Sequence, residues 1–506
     1  MPHPLPTPEE MRRWDQRTIE EFGLSGTVLM ENASRAALAA LEAHAGSVRG
    51  KRVVVFAGAG NNAGDGFALA RHLINLGAQV LVLHAKPMES YSGDAGYHLQ
   101  LLRRMDAALE YLPEYEADFL HCAHIVVDAL LGTGFVGPLR PEYARWITTI
   151  NRLGKRALVL ALDIPSGLCG HTGEPQPVAV HATLTVTFEE PKLGLVLPPA
   201  RPFVGSMVVG KIGIPRHIKE AHPTAHVALG PEVWEYVPTP TAAMHKGIAG
   251  HVLVVGGSPG LTGAPLLAAR AAYRAGAGLV TWAAPEGLLA QGAPFPETMT
   301  MSLGPAWGRE AAARLHENAH RFDSVLLGPG LGRSAEAAAL VAAYLERPHP
   351  RLVLDADALF HLAQDRSLLE RIPQDAVLTP HPGEMARLLA TSAEDINAKR
   401  QEHARAWVAA HPCHLVLKGA ATLVASPEAP MAVSPWCTPN LAVAGSGDVL
   451  AGVLGALLAW GVPPHQAACA AVYWHGKAGD ALRHHFPFRG NTPLDIAETL
   501  PHVRKE

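Results

Sequence analysis

Short unbroken apolar runs recur along the first half of the chain: Arg52-Val-Val-Val-Phe56, Gln79-Val-Leu-Val-Leu83, His124-Ile-Val-Val-Asp128 and Arg156-Ala-Leu-Val-Leu-Ala-Leu-Asp163. Runs so short and so rich in β-branched residues read as strands buried on both faces. Between them the apolar positions take a helical period, at about 29–44 and 67–76. Thr7-Pro8-Glu9-Glu10 opens a further helix, with Thr as the cap, Pro in the first turn and Glu three residues after the cap. Strands alternating with helices predict a parallel α/β sheet, with a ligand site at the carboxyl ends of its strands.

The second half repeats the pattern. His251-Val-Leu-Val-Val255, Gly278-Leu-Val-Thr-Trp282, Asp323-Ser-Val-Leu-Leu327, Leu352-Val-Leu354, Ala376-Val-Leu378 and His414-Leu-Val-Leu417 read as strands, and 264–275 as a helix. The last loop, Gly445-Ser-Gly-Asp448, runs into an apolar helix over 449–460. Between the halves, 216–244 is rich in Pro, His, Thr and Ala, which is linker-like. A strand, 205–215, closes the first half, and a short one is expected at 225–229. The break falls near 216–225, giving domains at 1–218 and 225–506. The halves show no internal repeat, so the chain reads as a fusion.

Composition narrows the class. The 506 residues are 48% hydrophobic and 17% charged, enough for two cores. The net charge of −4, without a basic block, argues against nucleic acid. The apolar stretch 449–462 is too short to span a membrane, and no secretory leader precedes the first helix. Five cysteines without CxxC spacing indicate a reducing, cytoplasmic setting. The 27 histidines are scattered and form no HExxH pair.

Three loops at strand ends gather oxygens and amides. They are Ala57-Gly-Ala-Gly-Asn-Asn-Ala-Gly-Asp-Gly66, Asp128-Ala-Leu-Leu-Gly-Thr-Gly134 and Asp163-Ile-Pro-Ser-Gly167. The first is no dinucleotide fingerprint: after Gly58 and Gly60 the next glycine is Gly64, and the second strand ends without an acid for a ribose. Oxygens from Asn61, Asn62, Asp65, Asp128 and Ser166 instead suit a hard cation. In the second half, glycines and an N-terminal helix dipole make 445–448 an anion site. Asp448 in the first turn suits a base taking a proton from a hydroxyl that attacks phosphorus; a simple helix cap is the alternative. Lys418 at a strand end suits a point charge for phosphates. His381 is held between Pro380 and Pro382. No GxxxxGK[ST] occurs, which excludes a P-loop NTPase.

Leu29-Met-Glu-Asn-Ala33, Gly58-Ala-Gly-Asn-Asn-Ala-Gly-Asp-Gly66, Val127-Asp-Ala-Leu-Leu-Gly-Thr-Gly134 and Ala161-Leu-Asp-Ile-Pro-Ser-Gly167 together resemble the NAD(P)HX epimerase family, over about 8–215. The resemblance implies a Rossmann-like three-layer domain. It places Asn61, Asn62, Ala63, Gly64, Asp65, Gly132, Thr133, Gly134, Phe135, Val136, Gly137, Pro138, Tyr143 and Asp163 at the hydrated nicotinamide nucleotide. It also implies K+ on Asn62, Asp128 and Ser166. Ala63 stands where the family usually has Gly, which is tolerable at negative φ. Asp163 is the candidate epimerising acid/base. Lys192 is a second candidate beside its reading as a surface lysine.

Gly328-Pro-Gly-Leu-Gly332, Asp355-Ala-Asp357, Thr379-Pro-His-Pro-Gly-Glu384, Lys418-Gly-Ala-Ala-Thr422 and Gly445-Ser-Gly-Asp448, in that order, resemble the ADP/ATP-dependent NAD(P)HX dehydratases over about 225–506. That implies a ribokinase-like α/β domain. It puts Ala264, Gly330, His381 and catalytic Asp448 at the substrate, and Lys418, Gly419, Ala420, Ala421, Thr422 and Gly447 at ADP with Mg2+. Pro493-Leu-Asp-Ile496 departs from the family's usual wording, away from these motifs. The two halves would then act on NADHX and NADPHX, the first interconverting R and S epimers and the second dehydrating S at the expense of ADP. A homo-oligomer is expected. Two other readings share these features. One is a small-molecule kinase of the ribokinase superfamily that stops at a phosphorylated product. The other makes the N-terminal half a nucleotide-binding module without catalysis.

Overall fold

In the computed structural model, which describes residues 3–114, 120, 122–135, 137–290, 295–349 and 351–504, the chain forms two compact units, Pro4–His226 and Val227–Glu506. The first is built on a parallel sheet. Its strands are β1 (Arg52–Ala57), β2 (Gln79–His84), β3 (Ala108–Tyr111), β4 (Ile125–Ala129), β5 (Leu158–Leu162), β6 (Leu184–Phe188) and β7 (Ser206–Gly210), in the order β3-β2-β1-β4-β5-β6-β7. Every ladder is parallel. The chain enters at β1, winds outward one way through β2 and β3, then returns to lay β4 on the other side of β1. The order reverses there, and that is where a crevice opens.

Alternation along β1 builds three layers. Val53, Val55 and Ala57 join a core with helices α1 (Pro8–Arg17), α2 (Gly26–Ala45), α3 (Asn61–Asn75) and α4 (Gly93–Arg103). Val54 and Phe56 point the other way, onto Ile147 and Ile150 of α5 (Pro141–Leu153). Successive strand residues face opposite sides, so both faces of the sheet are covered. Thr7 caps α1 in a reciprocal capping box with Glu10.

In the second unit the strands are β8 (His251–Val255), β9 (Leu279–Ala284), β10 (Met299–Ser302), β11 (Ser324–Leu327), β12 (Leu352–Leu354), β13 (Val377–Leu378), β14 (His414–Leu417), β15 (Leu423–Ser426) and β16 (Ala429–Val433). They run in the order β16-β15-β14-β13-β12-β11-β8-β9-β10. The ladders are parallel from β10 to β14, and β14, β15 and β16 pair antiparallel. Helices α6 (Gly263–Arg274), α7 (Ser446–Ala459) and α8 (Pro464–Ala481) share one core with Val252, Val254, Leu326 and Val353. Every position of α7 from Val449 to Ala459 is buried, as an apolar face on all sides requires. A Cβ on Gly452 would lie 2.2 Å from the Ala268 carbonyl oxygen, so that glycine lets α7 pack directly on α6.

Three expectations shift. Helix α3 begins at Asn61, not near Phe67: only 58–60 form the turn, and a Cβ on Gly58 would lie 1.7 Å from the Leu130 carbonyl oxygen. Helix α7 begins at Ser446, not Val449, because Gly445 takes the left-handed turn at φ 89°. The segment 216–244 is not mere linker. It holds a helix, Arg216–Ala221, and a 3-10 turn, Pro231–Tyr236, each pinned by one buried apolar residue, Ile218 and Val233.

Candidate active sites

The carboxyl ends of β1, β4 and β5 lie level, with Phe56 opposite Asp128 and Asp128 opposite Ala161. The loops leaving them surround a cavity of about 410 Å³ lined by Asn61, Asn62, Asp65, Gly132, Thr133, Gly134, Phe135, Tyr143 and Asp163. Ala63 and Gly64 turn into the core instead. Ala63 sits in helix α3 and is absent from the positive-φ residues, so its methyl is tolerated. A Cβ on Gly64 would lie 2.5 Å from Met30 Sδ. Gly137, at φ 94°, and Pro138 continue the 132–134 loop but are not among the cavity's lining residues. Val136 lies outside the described residues.

Asn62, Asp128 and Ser166 converge beside Leu131, whose carbonyl accepts from both Asn62 Nδ2 and Ser166 Oγ. Asp128 is buried; its Oδ1 accepts from Ser166 Oγ at 2.6 Å and its Oδ2 from Ser166 N–H at 2.8 Å. Burial raises the Asp128 carboxyl to about 6, although these hydrogen bonds pull it down. Asn62 Nδ2 donates to the carbonyls of Leu131 and Leu162, at 3.0 and 3.2 Å. Its Oδ1 is buried with no hydrogen-bond partner. A buried acceptor left without a donor is the kind of place a cation fits.

Asp163 sits at φ 66° just past β5. Its carboxylate pairs with the ammonium of Lys192, which also donates to Thr187 Oγ1 at 3.1 Å and to the Phe188 carbonyl at 2.9 Å. Lys192 is only 1% exposed, so it is no surface lysine. Asp65 is raised well above the usual carboxylate range by burial and by the charges of Asp163 and Asp15. Asp15, on α1, is a wall of this cavity that the sequence reading missed.

The second unit gathers its charged groups at the ends of β12, β13 and β14. Lys418 Nζ lies 2.8 Å from Asp355 Oδ1 and 3.8 Å from Glu384 Oε2. Thr379 Oγ1 also donates to Asp355 Oδ1, at 2.7 Å. Burial works against the Lys418 ammonium, but Asp355 and Glu384 outweigh it and raise its pKa. A Cβ on Gly447 would lie 3.2 Å from Lys418 Nζ, so the ammonium rests against the first turn of α7. Asp448 in that turn is pushed up to about 7 by burial and the nearby acids, against the pull of Lys418. No side chain caps α7. Ser446 Oγ instead meets buried His475 Nε2 at 3.1 Å and Ser446 N–H donates to the Val443 carbonyl at 3.2 Å, so the Gly447 and Asp448 amides are the first-turn donors left for an anion. The simple-cap reading therefore fails.

His381 caps the helix Pro382–Leu389. Its Nδ1 accepts from Gly383 N–H at 3.0 Å, while Glu384 Oε2 accepts from His381 N–H at 2.8 Å. Burial and the charges of Lys418 and Arg387 lower its pKa, so the ring is neutral near pH 7 and, since Nδ1 accepts, its proton is on Nε2, 3.5 Å from Glu384 Oε1. Glu384 is raised to about 7 by burial and by Asp355, against the pull of Lys418. Gly330, at φ 60°, lies against Ala264: a Cβ would be 3.3 Å from that of Ala264 and 2.4 Å from the Leu261 carbonyl oxygen. Residues 418–422 form the turn between β14 and β15. There Ala421 takes φ 51° and Thr422 Oγ1 donates to the Gly419 carbonyl at 2.9 Å; Gly419 and Ala420 are exposed. Arg400, absent from the sequence reading, lies against Gly419 and donates to the Leu417 carbonyl at 3.0 Å.

Two α/β units, one with a polar crevice at a topological switch point and one with an uncapped helix start beside a lysine and several acids, define a two-site enzyme that handles nucleotides. The family model described as NAD(P)H-hydrate dehydratase matches residues 252–502, and that described as YjeF-related protein N-terminus matches 26–194. A bifunctional NAD(P)H-hydrate repair enzyme of Moorella thermoacetica is 40% identical over 99% of this chain and 96% of its own length. One from Salinibacter ruber is 35% identical over 99% and 96%. An ADP/ATP-dependent NAD(P)H-hydrate dehydratase structure from Bacillus subtilis, co-crystallized with ATP and Mg2+, is 29% identical and covers 55% of this chain and 97% of its own, with a TM-score of 0.48. The chain belongs to the bifunctional NAD(P)H-hydrate repair enzymes, and its function is the repair of hydrated NADH and NADPH.

Proposed function

We propose that residues 1–218 interconvert the R and S epimers of NADHX and NADPHX, and that 225–506 dehydrate the S epimer with ADP as phosphate donor. The observation that carries this is Asp448, a raised carboxylate in an uncapped helix start beside Lys418. Asp448 takes the proton of the 6-hydroxyl as its oxygen attacks the terminal phosphorus. The first-turn amides and Lys418 offset the charge on the moving phosphoryl group. Loss of phosphate then restores the ring double bond. Gly419, Ala420, Ala421, Thr422 and Gly447 hold the nucleotide; Ala264, Gly330 and the Nε2–H of His381 hold the substrate. Mg2+ brought with the nucleotide would be held by phosphate oxygens and a carboxylate; Glu384, 3.8 Å from Lys418 Nζ, fits that role and leaves Asp448 free as the base.

In the first unit, Asp163 exchanges protons at the epimerising centre and Lys192 holds its charge. The orphaned Asn62 Oδ1, with Asp128 and Ser166, supports a K+ that anchors the loops bearing Asn61–Asp65, Gly132–Pro138 and Tyr143. The reading includes a cytoplasmic homo-oligomer. The five cysteines form no disulfide, and no helix among the described residues is long and apolar enough to cross a membrane.

The test mixes purified protein with the R/S mixture of hydrated NADH and follows the return of NADH absorbance with ADP, with ATP and with neither. Full recovery with ADP is expected. A stable phosphorylated product would favour the kinase reading, and no recovery with either nucleotide would overturn the proposal.

A further inference from the structure

The first unit's cavity holds a carboxylate that the mechanism above leaves idle. Asp15 reaches the cavity from α1, Asp163 from the end of β5. Helix α1 is firmly placed: Thr7 and Glu10 cap it, Trp14 Nε1 donates to the His222 carbonyl at 2.8 Å, and Trp14 is 1% exposed. Asp15 Oδ1 is shielded from solvent and has no hydrogen-bond partner. A buried acceptor without a donor is costly unless the group is protonated or meets a ligand. Lys192, the buried ammonium of the cavity, is spent on Asp163, Thr187 and Phe188.

Resting on the epimerase reading, the chemistry needs two proton-handling groups. The epimerised carbon, C6, carries the hydroxyl and neighbours the ring nitrogen. C6 becomes planar and loses its configuration when the C6–O bond breaks, the bonding pair leaves with oxygen and the nitrogen lone pair closes a C=N bond. The departing hydroxide needs a proton. Water then adds to the other face, the C=N π pair returns to nitrogen, and the proton released by the adding water needs an acceptor. One carboxyl acid and one carboxylate satisfy both halves, and the reverse direction exchanges their roles. Water in the cavity returns the proton between turnovers.

We propose that Asp15 is a second catalytic residue of the epimerase, donating the proton that the departing 6-hydroxyl takes while Asp163 receives the one released by the adding water. Burial and the charges of Asp163 and Glu189 push Asp15 up to about 7, against the pull of Lys192, which keeps a protonated fraction near neutral pH. Asp65, Arg12 and Asp94 are the other charged groups lining the cavity.

The experiment uses the full chain and follows conversion of the R epimer to S by chromatography without ADP, so that dehydration is off the path. For Asp15→Asn we expect a ~100-fold or greater loss of epimerisation, with recovery of preformed S by ADP at the wild-type rate. Asp15→Glu should restore part of the activity. The wild-type rate should fall as pH rises through about 7, where the Asp15 acid is lost, and this limb should move in Asp15→Glu. Fast epimerisation by Asp15→Asn overturns the proposal. So does an unmoved pH limb in Asp15→Glu, which covers the case in which Asp15→Asn merely unfolds the unit. A wild-type protein that does not convert R to S would instead overturn the epimerase reading itself.

Discussion

Lys418 holds its ammonium 2.8 Å from Asp355 Oδ1, and this pair neutralises an acid cluster that would otherwise repel itself. Asp355 is almost wholly buried and Asp448 and Glu384 are mostly so. Removing one partner of such a pair leaves the other charge uncompensated, a cost of about 3–5 kcal/mol. Lys418→Met should therefore lower the denaturation midpoint of the second unit and abolish ADP-driven NADH recovery. R-to-S conversion should persist. Loss of both activities together would show that the cluster does not act locally.

Asp448 carries a pH signature. Its folded pKa, about 7, lies above the ordinary value, so the stability it contributes is present at low pH and lost as pH rises through about 7. Asp448→Asn should therefore raise the thermal midpoint at pH 8, raise it less at pH 5, where only part of the penalty that builds from 3.8 to about 7 is present, and stop dehydration at both. In the wild type, dehydration should increase with pH through the same region, because the base must be ionised. Calorimetry at the two pH values and initial rates between them check this.

Lys192 is buried against Asp163. Lys192→Met should strand a charged carboxylate in the cavity wall and remove epimerisation. Asp163→Asn should also remove epimerisation, and because it strands the more deeply buried Lys192 ammonium its cost in stability should be at least as large. In both variants the S fraction of hydrated NADH should return quickly and the R fraction only at its spontaneous rate. Rapid R recovery in Asp163→Asn would mean that the acid/base lies elsewhere.

Gly330 takes φ 60° with the Leu261 carbonyl oxygen 2.4 Å from where a Cβ would stand. Gly330→Ala should cost about 1–3 kcal/mol through strain and overpacking and raise KM for the S epimer. Urea denaturation and steady-state kinetics measure the two effects.

The cation reading makes its own forecast. A K+ that binds only the folded unit stabilises it by mass action. The thermal midpoint should rise in KCl over LiCl at equal ionic strength, with faster epimerisation. Asn62→Leu should erase the difference, since it removes the orphaned Oδ1. An unchanged KCl dependence in that variant would remove Asn62 from the site.

What the sequence determined alone was local in origin. Continuous apolar runs such as 52–56 and 251–255 can bury both faces only as central strands of a covered parallel sheet, and the loops after them must lie at its carboxyl edge. The glycines of 328–332 and 445–448 mark turns whose backbone demands them. The loop oxygens at 61–65, 128 and 166 could be read as neighbours because each loop follows a strand of one parallel sheet. Helix starts at Asn61 and Ser446 were not, since glycine-rich segments read as loop until packing against Leu130 or Leu267 shows where the turn ends. Nor were the charged groups that only long-range folding buries. Lys192 stood only as a second candidate beside a surface lysine, and nothing singled out Asp15 on its heavily charged helix. The tertiary structure decided otherwise by stripping water from them, which forces each to find a partner, shift its proton or await a ligand.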